Sequence, residues 1–119
     1  DAPCSGLGVL RRHPELKWRE VATGAERSSE LVKLQRRLLR RALGLLAPGG
    51  CLVYAVCTVS PAEGPEQREW ILKEYPELRL AAPEDPAVAS LAPSGELALW
   101  PQHHGTDGFY AVRLVKEEE

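Results

Sequence analysis

The chain has 119 residues, of which 44% are apolar and 27% charged, and its formal net charge is −2. That balance fits one small globular domain and excludes a disordered segment. Three cysteines with no CxxC pair argue against a disulfide framework and against a zinc site, and no apolar run nears the roughly 20 residues that a membrane span needs. The charge is uneven: residues 1–46 carry 10 Lys and Arg against 5 Asp and Glu, and residues 47–119 carry 5 against 12. A basic first third can face a phosphate backbone or simply be a solvated helix face. Methionine is absent, and the first residues read as the end of a strand. The expectation is a piece of a longer chain, short for a complete α/β enzyme. Free thiols fit a reducing cytoplasm. The absence of Asn, with abundant charge, leans towards a thermophile.

Residues 1–9 form a Gly- and Pro-rich loop in which Cys4 follows Pro3. Residues 10–24 read as irregular, with one helical turn opened by Pro14. Ser28 or Ser29 is then expected to cap a long amphipathic helix with Leu31, Leu34, Leu38, Leu39, Ala42, Leu45 and Leu46 on its apolar side. Arg36, Arg37, Arg40 and Arg41 fall on the other side, and Pro48-Gly49-Gly50 stops the helix. The unbroken apolar run of residues 51–57 predicts a strand covered on both faces, as in parallel sheets. Ser60, Pro61 and Glu63 read as a capping box for a helix that ends near Tyr75. Residues 77–82 predict a short strand and 83–95 a loop. Residues 96–101 and 108–115 predict an antiparallel pair at a sheet edge, joined by the polar turn QHHGTD. Helix, strand, helix and strand pair in this order fit the second half of a doubly wound sheet. No GxGxxG segment supplies a first half.

Cys57 closes a strand just before a helix start, where α/β enzymes place nucleophiles and where a helix N-terminus favours a thiolate. A small buried hydrophobe is the competing reading. Cys51 opens the same strand at the opposite end and is expected in the core. Arg11 and Arg12 follow the Cys4 loop and suit phosphate contacts. Gly6 and Gly8 read as turn residues. His103 and His104 read as exposed, and no metal site is expected.

DAPCSGLGVLRRHP, LLAPGGCLVYAVCTVSPAEG and the late DGFY together resemble three successive motifs of the Nol/Nop/Sun family of S-adenosylmethionine-dependent RNA cytosine methyltransferases, in its bacterial Sun or Fmu ribosomal-RNA branch. The resemblance implies an α/β fold, the C-terminal half of a Rossmann-like methyltransferase sheet, with residues 1–119 as the C-terminal portion of a catalytic domain. It implies methyl transfer from S-adenosylmethionine to carbon 5 of a cytosine in RNA, with ribosomal RNA as the expected partner. It makes Cys57 the nucleophile and Cys4 the residue that helps release product. Asp1 would lie near the cofactor and the target base, and Asp107 at the edge of the site. The family's cofactor loop matches nothing here, so the isolated chain is expected to be inactive. Three rivals stand beside this reading: a folded or RNA-contacting module without catalysis, a thiol-redox module, and a DNA cytosine methyltransferase. An exposed sheet edge gives the further expectation of an edge-to-edge dimer.

Overall fold

The computed structural model describes residues 1–10 and 12–118. Its sheet is organised around β4 (Phe109–Lys116). Along one edge β4 pairs with β1 (Cys51–Val56), and along the other it meets β2 (Leu78–Leu80) and β3 (Glu96–Leu99) end to end. All three pairings are antiparallel. The predicted β3–β4 pair is therefore present, but β4 is central rather than at an edge. The reason lies in its own alternation: Tyr110, Val112 and Leu114 are buried on one face. They stand opposite Val56, Tyr54 and Leu52 of β1, so the register places apolar side chains together across the ladder.

Two helices cover that face. α1 (Leu16–Gly44) supplies Leu39 and Leu43, and α2 (Pro65–Glu74) supplies Ile71. Each fully buried aliphatic side chain here contributes about 1.5–3 kcal/mol. Between the helices lies a polar layer. Gln67 Nε2 donates to Gln35 Oε1 at 3.0 Å and to the Val32 carbonyl at 3.1 Å, and Arg36 Nε donates to Gln67 Oε1 at 3.0 Å. The guanidinium groups of Arg36 and Arg40 sit 4.9 and 5.0 Å from the centre of the Trp70 ring. These two arginines are thus not simply a solvated face, because α2 brings an aromatic ring beneath them.

Several sequence expectations are corrected. α1 begins at Leu16, so residues 16–24 are helical and Ser28 and Ser29 are interior to the helix, not caps. Leu38 and Leu45 are exposed, because the stripe that meets the sheet runs through Leu39 and Leu43. β1 is covered on one face only, with Val53 57% exposed on the other. Apolar residues on both faces had hidden that asymmetry. Cys51 is exposed rather than core. The 83–95 segment contains α3 (Pro86–Leu91), which the Asp85 carboxylate caps through the amides of Ala87 and Val88. The turn before β4 contains α4 (Pro101–His104).

α2 starts at Pro65, with Gly64 rather than Ser60 at its N-cap. The Ser60–Glu63 stretch is a separate turn, closed by Glu63 N donating to the Ser60 carbonyl at 3.2 Å. Glu63 could not serve a capping box because its carboxylate is turned inward, 1% exposed. A helix dipole acting on Cys57 from the next residues is thereby removed.

Candidate active site

The carboxyl end of β1 is where three backbone segments converge. Gly8 N donates to the Cys57 carbonyl at 3.0 Å, and Gly108 N donates to the Gly8 carbonyl at 2.6 Å. A Cβ on Gly8 would overlap the Gly108 carbonyl and come within 2.8 Å of the Cys57 oxygen. Glycine at position 8 is what lets the Cys4 loop, the end of β1 and the start of β4 touch. At the other end of the loop, Ala2 N donates to the Ala55 carbonyl at 2.9 Å. The loop is therefore fastened to β1 at residues 2 and 8 and bulges between them.

Cys4 stands in that bulge. Its sulfur lies 3.3 Å from the sulfur of Cys57, although the two residues are 53 apart in sequence. Both thiols are free and half-buried. Burial, and next the hydrogen bond with Cys57, push the Cys4 pKa up to about 11. Cys4 is accordingly a protonated thiol across the neutral range. Its S–H is available to the Cys57 sulfur.

Beneath the two thiols lies a buried polar network that the sequence reading missed. Glu63 Oε1 accepts from Ser5 N at 2.8 Å and from Gln35 Nε2 at 3.1 Å, and Oε2 accepts from the Ser5 hydroxyl at 2.7 Å. With its proton on Glu63, the Ser5 hydroxyl accepts from Thr58 Oγ1 at 2.9 Å. Gln35 also donates to the Pro3 carbonyl at 2.9 Å. The Tyr54 hydroxyl donates to the Glu63 carbonyl at 2.5 Å. Burial, and then the Glu63 charge, raise the Tyr54 pKa above its ordinary range, so this donor stays protonated. The one available signal was a capping-box pattern whose Glu lies six residues past Cys57. It was read as local because spacing alone cannot say which way a side chain turns.

Arg12 is exposed, and its guanidinium contacts Asp107 Oδ2 through Nε at 2.7 Å and Nη2 at 2.6 Å. It was expected to be open to phosphate, and part of its charge is instead answered from the β4 side. Arg11 lies outside the described residues. Asp1 is exposed beside a cleft of about 200 Å³ walled in part by Ala2, Gln35, Leu52 and Tyr54. A smaller apolar hollow of about 100 Å³ opens one residue past Cys57, between Val59, Pro61, Leu99, Trp100 and Phe109. His103 and His104 are exposed, with His104 Nδ1 3.0 Å from Trp100 N. Among the described residues there is no cluster of metal-ligating side chains, and no helix is long and apolar enough to cross a membrane.

Comparison with known proteins gives this geometry a context. Residues 1–115 match the family model of the 16S rRNA methyltransferases RsmB/F. The chain is 39% identical over 126 residues to ribosomal RNA small subunit methyltransferase B of Erwinia tasmaniensis, covering 98% of this chain and 25% of that protein. It is 38% identical over 122 residues to ribosomal RNA small subunit methyltransferase F of Cronobacter sakazakii, covering 98% of this chain and 24% of that protein. The crystal structure of NSun6 from Pyrococcus horikoshii, solved with SFG, superposes with a TM-score of 0.77 at 27% identity, covering 100% of this chain and 29% of that one. The chain belongs to the RsmB/F methyltransferase family. It spans about a quarter of the length of the curated relatives it matches.

Proposed function

We propose that this chain is the part of an rRNA cytosine-5 methyltransferase catalytic domain that holds its two working thiols. The observation that carries the reading is the 3.3 Å approach of Cys4 and Cys57 at the carboxyl end of β1, in a chain of a ribosomal-RNA methyltransferase family. Carbon 5 of cytosine is a weak nucleophile. Cys57 as thiolate adds to carbon 6, forming a C–S bond and moving the ring's electron pair towards carbon 5. S-adenosylmethionine supplies the methyl group that carbon 5 takes. A base then removes the carbon-5 proton, the C–H pair re-forms the ring double bond, and the C–S pair returns to Cys57.

Cys4 is suited to that last stage rather than the first. Its thiol is held protonated by burial and by Cys57, so it does not compete as the nucleophile. As a thiol, Cys4 can give its proton to the Cys57 sulfur as the C–S pair returns there, while a separate base takes the carbon-5 proton. Among this chain's residues, the Asp1 carboxylate, exposed beside the cleft along β1, is the group that would accept hydrogen bonds from S-adenosylmethionine or from the cytosine amine. Arg12, with Arg11, would meet an RNA phosphate, and there the phosphate must share the guanidinium with Asp107.

The test is Cys57→Ala in the full-length enzyme, assayed for methyl transfer from S-adenosylmethionine to 16S ribosomal RNA. Loss of turnover by roughly 10³-fold or more is expected. Undiminished turnover would refute the assignment.

A further inference from the structure

We propose that Glu63 is a positioning residue that sets Cys4 against Cys57 and thereby governs release of the methylated RNA. This rests on the cysteine mechanism above and adds to it a residue that acts through the neighbours of Cys4. Among the described residues, backbone-to-backbone bonds fasten the Cys4 loop to β1 and to Cys57 just past it at residues 2 and 8. Within the bulge, both neighbours of Cys4 are referred to Glu63. Ser5 donates to it twice, through N–H and hydroxyl, and Pro3 is tied to it through the shared amide of Gln35. Glu63 is itself pinned to β1, because Tyr54 bonds its carbonyl. The carboxylate therefore transmits the position of the strand that carries Cys57 to the loop that carries Cys4.

The network is built round an acceptor-only group. Three close donors from two residues converge on its two oxygens, and the Thr58 hydroxyl reaches one of them at 3.4 Å. A carboxylate satisfies them all. An amide keeps the Ser5 N–H and Gln35 bonds and turns its N–H₂ to the Ser5 hydroxyl, which accepts as well as donates, so truncation to alanine is what removes the anchor. The network is also asymmetric. Cys57 is held by β1 and by the Gly8 bond whether or not Glu63 is present, and its neighbour Thr58 reaches the network through the Ser5 hydroxyl at 2.9 Å and the carboxylate at 3.4 Å. Loss of the carboxylate thus loosens the Cys4 loop, both of whose flanking residues it holds, more than it loosens Cys57. The step that needs Cys4 is slowed, while addition of Cys57 to the base is spared.

The experiment uses full-length enzyme carrying Glu63→Ala, S-adenosylmethionine, and 16S ribosomal RNA transcribed with either cytidine or 5-fluorocytidine. Fluorine at carbon 5 cannot leave as a proton does, so the fluorinated RNA, once methylated, traps the Cys57 adduct and reports addition and methyl transfer without release. Cytidine RNA reports release. The variant is expected to trap fluorinated RNA at a rate within about twofold of the parent enzyme. On cytidine RNA it should accumulate a denaturant-stable RNA–protein adduct while turnover falls about 10–100-fold, the scale of a roughly ångström misplacement. A general weakening of the fold would instead lower trapping and turnover together, and that result overturns the proposal. Unchanged turnover with no adduct on cytidine RNA also overturns it, and leaves the cysteine mechanism standing. If the parent enzyme itself traps no Cys57-dependent adduct, the mechanism falls and this assignment falls with it. Should Glu63→Ala fail to fold, Ser5→Ala carries the same test, since it removes one bond to Glu63 and keeps the Ser5 N–H.

Discussion

The two ends of β1 carry the same residue type in opposite circumstances. At one end Cys57 meets another thiol, a three-segment backbone junction and a buried carboxylate network. At the other Cys51 is exposed, paired across the ladder with Val115. Both cysteines belong to one apolar run. What separates them is what the rest of the chain delivers to each end. A thiol becomes a candidate reactive group through its neighbours in space, not through the strand that bears it.

The sharpest way to break the comparison is to exchange the losses. Cys51→Ala in the full-length enzyme is expected to leave methyl transfer within twofold of the parent, beside the roughly 10³-fold loss expected for Cys57→Ala. Equal effects at the two ends would show that strand integrity, not chemistry, is being measured.

Glycine substitutions extend the contrast to packing. Gly8→Ala should cost about 3 kcal/mol in thermal or urea unfolding, because its Cβ enters the Gly108 carbonyl. Gly44→Ala, in the last turn of α1 with open space around it, should stabilise by about 0.5–1 kcal/mol. A Gly8→Ala chain as stable as the parent would mean that the junction is looser than its hydrogen bonds imply.

Alkali should act at the Cys57 end through Cys4. The Cys4 pKa is raised from 9.0 to about 11, so the protonated thiol is the form the fold prefers. Its contribution to stability is complete below pH 9.0 and is lost as the pH rises towards 11. Iodoacetamide labelling read by mass spectrometry should mark Cys51 at neutral pH and reach Cys4 last, with its rate still climbing up to about pH 11. Cys4 labelling that levels off below pH 9 would contradict this.

The smallest effect is expected at the rim. Arg12 is 59% exposed in its pair with Asp107, and Asp107→Asn should cost less than about 1 kcal/mol in unfolding. A larger loss would make that ion pair part of the junction rather than its border.

Much of the architecture was legible in the chain. Apolar runs bounded by Gly and Pro located β1, β2, β3 and β4, and helical spacing located α1 and α2. The errors share a cause. Residues 16–24 lack a clear apolar stripe, so the first turns of α1 were missed. The short helices α3 and α4 fell inside segments that composition marks as loops. The run of residues 51–57 is apolar at every position, which conceals the face that stays open.

By itself the sequence determined that a thiol ends a strand and that another sits in a Gly-rich loop, because chain-local periodicity and turn chemistry are enough for that. Only the tertiary structure decided that their sulfurs meet at 3.3 Å, that Arg12 answers Asp107, and that Glu63 turns inward instead of capping a helix. Those contacts join residues between 53 and 95 positions apart. Such contacts are set by sheet register and by how helices pack on one face, which no local pattern encodes.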